Sequence, residues 1–326
     1  MSEKQITSIG VMTSGGDAPG MNPCVRAVVR TAIAKGVKVC GIIGAYDGLM
    51  HGNFKELGLR DVGGILQRGG TILQTRRSKE FMQAAGQREA IRMLNNAGID
   101  GLVVIGGDGS LTGANKLVEH GIRVVGIPGS IDNDIIGTDM CVGTDTAINT
   151  IMDAVDKLRD TASSHNRAFL VETMGRHCGY LAVMAGLICG AEMVLIPEED
   201  IPADDVVKAI GDAYLRGKTH AIIIVAEGFK SNVNELAEMI EKADVGFTTR
   251  VTILGHVQRG GKPTAYDRWL ATRFGVRAVE YLMEGKTGVM TGLQGREIVP
   301  VPFSDIVGRN REISKEYYEL ARMLAR

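Results

Sequence analysis

Apolar positions fall into two patterns along the chain. Short continuous runs occur at 6–12, 37–43, 102–105 and 124–127, and again at 168–173, 193–196 and 221–225. Each is bounded by glycine or polar residues and most are rich in Val and Ile, as expected of strands buried on both faces. Between them, apolar residues recur every three or four positions. That period predicts helices at 22–34, 87–97, 110–120, 144–163, 203–215, 233–243 and 266–283. The longest apolar stretch, 181–196, carries Glu192 and is cut by Gly186 and Gly190, so it reads as a buried helix followed by a strand rather than a membrane span. The stretch after 43 reads as loop-rich.

Strands that alternate with helices argue for an α/β protein with mostly parallel sheets covered on both faces. Two such series follow one another, the second starting near Gly143. They read as two similar lobes, with the active site expected in a cleft between them. No low-complexity tract or short repeat interrupts them.

Composition narrows the function. Apolar content of 44% and charged content of 23% are those of a soluble globular protein. A formal net charge of −1 gives no electrostatic case for nucleic acid or an anionic membrane. Any anionic ligand must therefore be held by local arginines. The five cysteines, an odd number with no CxxC, read as buried free thiols in a reducing cytoplasm. A strand starting within a few residues of Met1 leaves no room for a signal peptide, so a cytoplasmic location is expected.

Two acidic loops carry the chemistry. GGDGS (106–110) follows the run 102–105, and PGSIDND (128–134) follows 124–127, with one helix between. A right-handed βαβ unit puts both loops on the same carboxyl edge of one sheet. Asp108, Asp132 and Asp134 can then face one crevice. Carboxylates beside glycine-rich turns at a helix start are what magnesium-dependent phosphoryl transfer needs. GGDGS also reads as a plain βα turn with Ser110 as N-cap. The chain has no GxxxxGK[ST] run, which excludes a P-loop protein. A second glycine turn, SGGDAPG (14–20), allows a phosphate close to the backbone at Gly15 and Gly16, or serves as a structural turn. Asp132 and Asp134, two apart, project to one side if the segment is extended: one can take a proton from a hydroxyl while the other orients it. An Asx-rich loop is the plainer reading. Arg77, Arg167, Arg176, Arg250 and Arg259 fall in loops or at strand boundaries, where each is a phosphate ligand or a solvated charge. His256 and Arg259 could hold a second phosphate. Arg26 and Arg30 lie one helical turn apart, as a solvated stripe or a separate anion site.

Taken together, SGGDAPGMN, GGDGS, PGSIDND, SSHNR, MGRHCG and GHVQRGG give the chain a resemblance to bacterial-type ATP-dependent 6-phosphofructokinases, nearly end to end. The resemblance implies a larger ATP-binding lobe from 1–143 plus about 257–305. A smaller sugar-phosphate lobe follows from 144–256 plus about 306–326. It implies that Gly16, Arg77, Ser78, Gly107, Asp108, Gly109 and Ser110 bind ATP, with Asp108 serving Mg2+. Asp132 is implied as the base that deprotonates the sugar 1-hydroxyl, with Ser130, Asp134, Arg176 and Gly16 also in the catalytic set. Ser130, Ile131, Asp132, Met174, Gly175, Arg176 and Glu227 are expected around fructose 6-phosphate. His256, Val257, Gln258 and Arg259 are expected near its 6-phosphate. Arg167 and Arg250 are expected to reach in from a neighbouring subunit of a homotetramer.

An effector site for nucleoside diphosphate or phosphoenolpyruvate is implied at Arg26, Arg30, Arg159, Gly190, Glu192, Arg216, Lys218 and His220. Asn53 and Thr219 stand where the family commonly has cations, so shallow effector control is expected. Gly109 and Gly129 replace the Asp and Lys that tend to mark pyrophosphate-using relatives, which favours ATP as donor.

Overall fold

The computed structural model describes residues 5–311 and 313–325. They cluster into two compact units, the first made of Met1–Ile131, Ile135–Thr146 and Arg259–Asn310, the second of Asp132–Asp134, Ala147–Gln258 and Arg311–Arg326. Asp132–Asp134 therefore groups with the second unit, although its loop leaves a strand of the first.

The chain begins with β1 (Ser8–Ser14), α1 (Met21–Ala34), β2 (Lys38–Ile42), α2 (Ala45–Met50), β3 (Phe54–Glu56) and α3 (Ala84–Asn96). It continues with β4 (Gly101–Gly106), α4 (Asp108–Glu119), β5 (Val124–Pro128) and α5 (Thr144–Ser163). Next come β6 (Arg167–Thr173), α6 (Tyr180–Cys189), β7 (Met193–Leu195), α7 (Ala203–Leu215), β8 (Ala221–Ala226), α8 (Val233–Lys242) and β9 (Thr248–Ile253). A 3-10 turn over Gly255–Arg259 precedes α9 (Ala265–Met283), β10 (Val289–Gln294), β11 (Glu297–Pro302), α10 (Phe303–Ile306) and α11 (Lys315–Leu324).

In the first unit, seven strands run in the order β11-β10-β5-β4-β1-β2-β3. The central pairs are parallel, and the edge strands β3 and β11 are antiparallel. From β1 the chain goes to β2 on one side and later to β4 on the other. The carboxyl ends of β1 and β4 therefore flank a topological switch point, where α/β sheets bind ligands. Register aligns the loops: Ser14 lies opposite Gly106, and Gly106 opposite Pro128. The apolar runs of β4 and β5 are wholly buried. Leu111, Ala114 and Leu117 of α4 join Met12, Leu102 and Val104 in one core. Burying each large side chain contributes roughly 1.5–3 kcal/mol.

The second unit has a fully parallel sheet in the order β7-β8-β6-β9. Its core joins Leu170 and Ile223 of the sheet to Val206 and Ile210 of α7 and Leu236 and Ile240 of α8.

Three expectations change. Helix α4 starts at Asp108 with Gly107 as N-cap, so Ser110 is not the cap. The Ser110 side chain instead packs inward and is buried. The Asp132–Asp134 segment is not extended, because Asn133 is buried and left-handed at φ 50°. Asn tolerates that conformation, and the turn cancels the two-residue alternation of side chains. Finally, α2, β3, β9, β10, β11, α10 and α11 form where no element was expected. All five cysteines are free thiols, with Cys40 and Cys189 only partly buried.

Candidate active site

The GGDGS end of the candidate site is built from backbone. Ser110 and Leu111 both donate their N–H groups to Gly107 O, at 2.9 and 3.1 Å, closing the first turn of α4. Asp108 thus sits in the first turn, where the helix dipole favours negative charge and anionic ligands. The turn depends on close approach. A Cβ at Gly106 would lie 2.5 Å from Ser14 O and 2.6 Å from Ser110 Oγ. Gly15 is left-handed at φ 84° and faces the same hydroxyl. β1 and the start of α4 therefore approach closely through glycine. By contrast, a Cβ at Gly109 would meet nothing within 4 Å, so that face of the loop is open.

Side chains of the first strand and helix fix the Arg77 loop. Thr13 Oγ1 donates to Gln74 O at 3.0 Å and lies 2.8 Å from Thr71 Oγ1. Asn22 donates to Arg68 O and Gly69 O and accepts from Ile72 N. Beyond them Arg77 is exposed, and Ser78 Oγ accepts from Phe81 N at 3.2 Å. Arg259 lies over the first glycine turn. Its Nη1 donates to Asp17 O at 3.2 Å, and a Cβ at Gly16 would fall 2.4 Å from that nitrogen. Arg259 thus stands with the Gly16 turn in the first unit, while His256 and Gln258 lie in the second.

A second group of expected residues gathers at the carboxyl ends of β6, β8 and β9. Glu227 N donates to Thr173 O at 2.8 Å, and Leu254 N to Glu172 O at 3.0 Å, tying the three loops together. Gln258, fully buried, accepts from Met174 N through Oε1 and donates to Gly255 O. The Arg176 guanidinium lies 3.9 Å from the Glu227 carboxylate. Burial, then the charge of Glu227, pushes the Glu172 carboxyl above its usual range. Cys178 is pushed up to about 11, chiefly by burial and further by Glu198, Asp134 and Asp132. Asp132–Asp134 and the MGRHCG loop belong to the same unit. Asp134 O also accepts from Arg311 N at 3.1 Å.

Two expected residues stand apart. Arg167 is the first residue of β6, and six strand steps, roughly 20 Å, separate it from Thr173. Arg250 lies on β9, with Nη1 donating to Thr249 O at 2.7 Å.

The expected effector residues of the second unit cluster at the amino ends of β7 and β8. Lys218 Nζ is 3.3 Å from Glu192 Oε1, whose other oxygen accepts from Ile222 N. Arg159 reaches His220 Nε2 at 3.4 Å and donates to the Cys189 and Gly190 carbonyls. Arg216 caps the C-terminus of α7. Arg26 and Arg30 lie on α1 of the first unit. Glu192 and Arg216 also border a cavity of about 760 Å³ beside α7 and α11.

Sequence reading missed the residues that hold the site rather than fill it: Thr13, Asn22, Tyr46, Phe81 and Glu198. Glu198 accepts from Gly179 N at 2.9 Å. Only Asn22, inside SGGDAPGMN, carried a signal. The others are ordinary core or loop residues until the chain folds.

Two units with largely parallel sheets, one with glycine turns and a helix N-terminus at a switch point, define an α/β protein of the doubly wound kind. The sequence profile of the phosphofructokinase family matches residues 8–282, and the chain belongs to that family. It is 53% identical over 318 residues to an ATP-dependent 6-phosphofructokinase of Thermotoga neapolitana, covering 97% of this chain and 99% of that one. A protein of the same description from Shouchella clausii is 50% identical over 317 residues, with 97% and 99% covered. The structure of phosphofructokinase from Saccharomyces cerevisiae superposes with a TM-score of 0.85 at 42% identity, covering 92% of this chain and 45% of that chain. The chain thus spans less than half of the yeast subunit but nearly the whole of the bacterial relatives.

Proposed function

We propose that this chain transfers the γ-phosphoryl group of ATP to the 1-hydroxyl of D-fructose 6-phosphate, giving fructose 1,6-bisphosphate and ADP in glycolysis. The carrying observation is near-full-length identity of about half to proteins described as ATP-dependent 6-phosphofructokinases. The local chemistry fits. ATP is held by the Gly15–Gly16 turn, Arg77, Ser78 and residues 107–110. The open face at Gly109 leaves room for a nucleotide beyond the transferred phosphate.

Asp108 fits a magnesium ion that arrives with the nucleotide. Mg2+ is commonly held by one or two carboxylates plus substrate phosphates, and Asp108 offers one, in the first turn of α4. Such an ion neutralises charge on the phosphate oxygens. Asp132 takes the proton from the 1-hydroxyl as it attacks the phosphorus in line. Asp134 and Ser130 orient that hydroxyl, and Arg176 faces the phosphoryl charge. Gly129 and Asp132 are three residues apart, so the chain itself keeps them within about 11 Å. Met174, Gly175 and Glu227 line the sugar, and His256 and Arg259 take its 6-phosphate.

Arg167 and Arg250 serve the site of a neighbouring subunit in a homotetramer, which accounts for the distance of Arg167 from the loop after β6. Effectors bind at the Glu192–Lys218 and Arg159–His220 cluster with Arg26 and Arg30, with shallow response because Asn53 and Thr219 supply no charge. Among the described residues no helix is long and apolar enough to cross a membrane, and the cytoplasm is the location that suits this substrate.

A coupled assay with ATP and fructose 6-phosphate tests the reaction. Asp132→Ser is expected to lower kcat by about 100- to 10,000-fold, as loss of a general base does. Undiminished turnover in that variant removes Asp132 from the role.

A further inference from the structure

The geometry points to Tyr46 as a positioning residue that joins the two nucleotide-binding segments, Arg77–Ser78 and residues 107–110. This rests on the reading that those segments hold ATP. Nothing in the sequence marks Tyr46: it lies in the stretch read as loop, two residues after Gly44.

The local backbone is unusual. Gly44 is left-handed at φ 87°, and the next residue, Ala45, is left-handed too, at φ 57°. For alanine that conformation is strained, because Cβ crowds the following carbonyl oxygen. Ala45 is fully buried, so surrounding packing holds the strain in place. The result is a sharp entry into the six-residue α2, which aims the Tyr46 ring inward.

Tyr46 then makes two contacts of different kinds. Its hydroxyl donates to Ser110 O at 2.6 Å, inside the first turn of α4. Its ring stacks on Phe81, with centroids 4.0 Å apart and planes at 19°. Phe81 in turn donates its N–H to Ser78 Oγ. The α4 side of this contact is shaped for the ring. A Cβ at Gly113 would fall 2.8 Å from Tyr46 Cζ, so only glycine lets the helix lie this close. Two further links run from the same short element to the same loop: Gly44 N donates to Leu73 O at 2.9 Å, and Arg76 pairs with Asp47 at 3.1 Å. The exposed ion pair adds little. The buried stack and hydroxyl bond fix the distance between the arginine loop and the helix start.

Tyr46 therefore sets how well the two segments grip one nucleotide, without entering the chemistry. The sugar loops of the second unit do not depend on it. This predicts a split between the two substrates that a general loss of stability does not produce.

The test uses the purified full chain and the variants Tyr46→Phe, Tyr46→Leu and Phe81→Leu. KM is measured for MgATP and for fructose 6-phosphate, Kd for a non-hydrolysable ATP analogue by calorimetry, and Tm as a control. Tyr46→Phe keeps the stack and loses one hydrogen bond, so KM and Kd for nucleotide are expected to rise about two- to tenfold. KM for the sugar phosphate should stay within about twofold. Tyr46→Leu, which also loses the aromatic pair, should weaken nucleotide further. Its combination with Phe81→Leu should cost less than the two single effects multiplied, because both break one contact.

Equal changes for both substrates overturn the proposal, as does unchanged nucleotide affinity in Tyr46→Phe. That variant is near-isosteric and keeps the test decisive should Tyr46→Leu not fold. The two readings are separable. Analogue binding without turnover in the wild type rejects the proposed reaction and still reads out Tyr46. No nucleotide binding at all rejects both.

Discussion

Asp267 has no access to solvent, yet its carboxylate accepts hydrogen bonds from Gly143 N, Thr146 N and Thr146 Oγ1. It thereby ties the first turn of α9 to the start of α5. Burial pushes its pKa from 3.8 up to about 6, even though the three donors pull the other way. The sign for stability follows. In the unfolded chain the group loses its proton near its ordinary value; in the folded chain it keeps it to about pH 6. Between those values the folded state binds more protons, so raising the pH through this window costs stability, on the order of 3 kcal/mol in all. Asp267→Asn cannot titrate. Denaturant unfolding at pH 5 and pH 7 should therefore show the wild type gaining on the variant as pH falls. No relative change between the two pH values would remove Asp267 as the titrating group.

At the scale of elements, the site depends on how closely β1, β4 and α4 converge. Gly106→Ala puts a methyl group against Ser14 O and Ser110 Oγ at distances no packed structure tolerates. Either α4 moves out or the strands separate, and nucleotide affinity should fall at least tenfold, with a loss of stability of about 1–3 kcal/mol. Calorimetric binding of an ATP analogue and a thermal melt check both parts.

The same elements show what sequence could and could not reveal. β4, α4 and β5 were legible because burial on both faces writes continuous Val and Ile runs, and a buried helix writes a 3.6-residue period. α5 and α7 match their expected limits residue for residue. The hairpin β10–β11 was not legible. Pro300 and Pro302 argue against a strand unless that strand lies at a sheet edge, and β11 does. α2 was hidden for another reason: six residues give less than two turns of period, and its entry depends on a strained alanine. The aspartates and glycines of the site announced themselves by type and spacing. Tyr46 and Glu198 work through contacts made only after folding, and no local pattern records those.

At the scale of the molecule, Arg167 and Arg250 decide whether one chain suffices. If each serves a neighbour's site, two inactive variants should restore one another. Asp132→Ser lacks the base but keeps its arginines, while Arg167→Ser lacks the arginine but keeps its base. In a mixed oligomer some sites combine an intact base with an intact arginine. Refolding the two variants together should recover a substantial fraction of wild-type turnover, while each alone stays low. An activity equal to the average of the separate variants would show that Arg167 acts within its own chain.

The division of the chain also bears on how the protein comes into being. The first unit draws on residues 259–310 and the second on residues 311–326. During synthesis, β5 waits for its sheet neighbour β10 until the ribosome has added more than 150 residues beyond it, roughly 10–30 s at ordinary elongation rates. Until then one edge of a strongly apolar sheet is open, and the second unit lacks α11. Domains usually mature one after another as they emerge, but here neither can finish early. Nascent chains stalled before residue 289 should thus be protease-sensitive in both units, and their apolar edge makes them the species most in need of a chaperone.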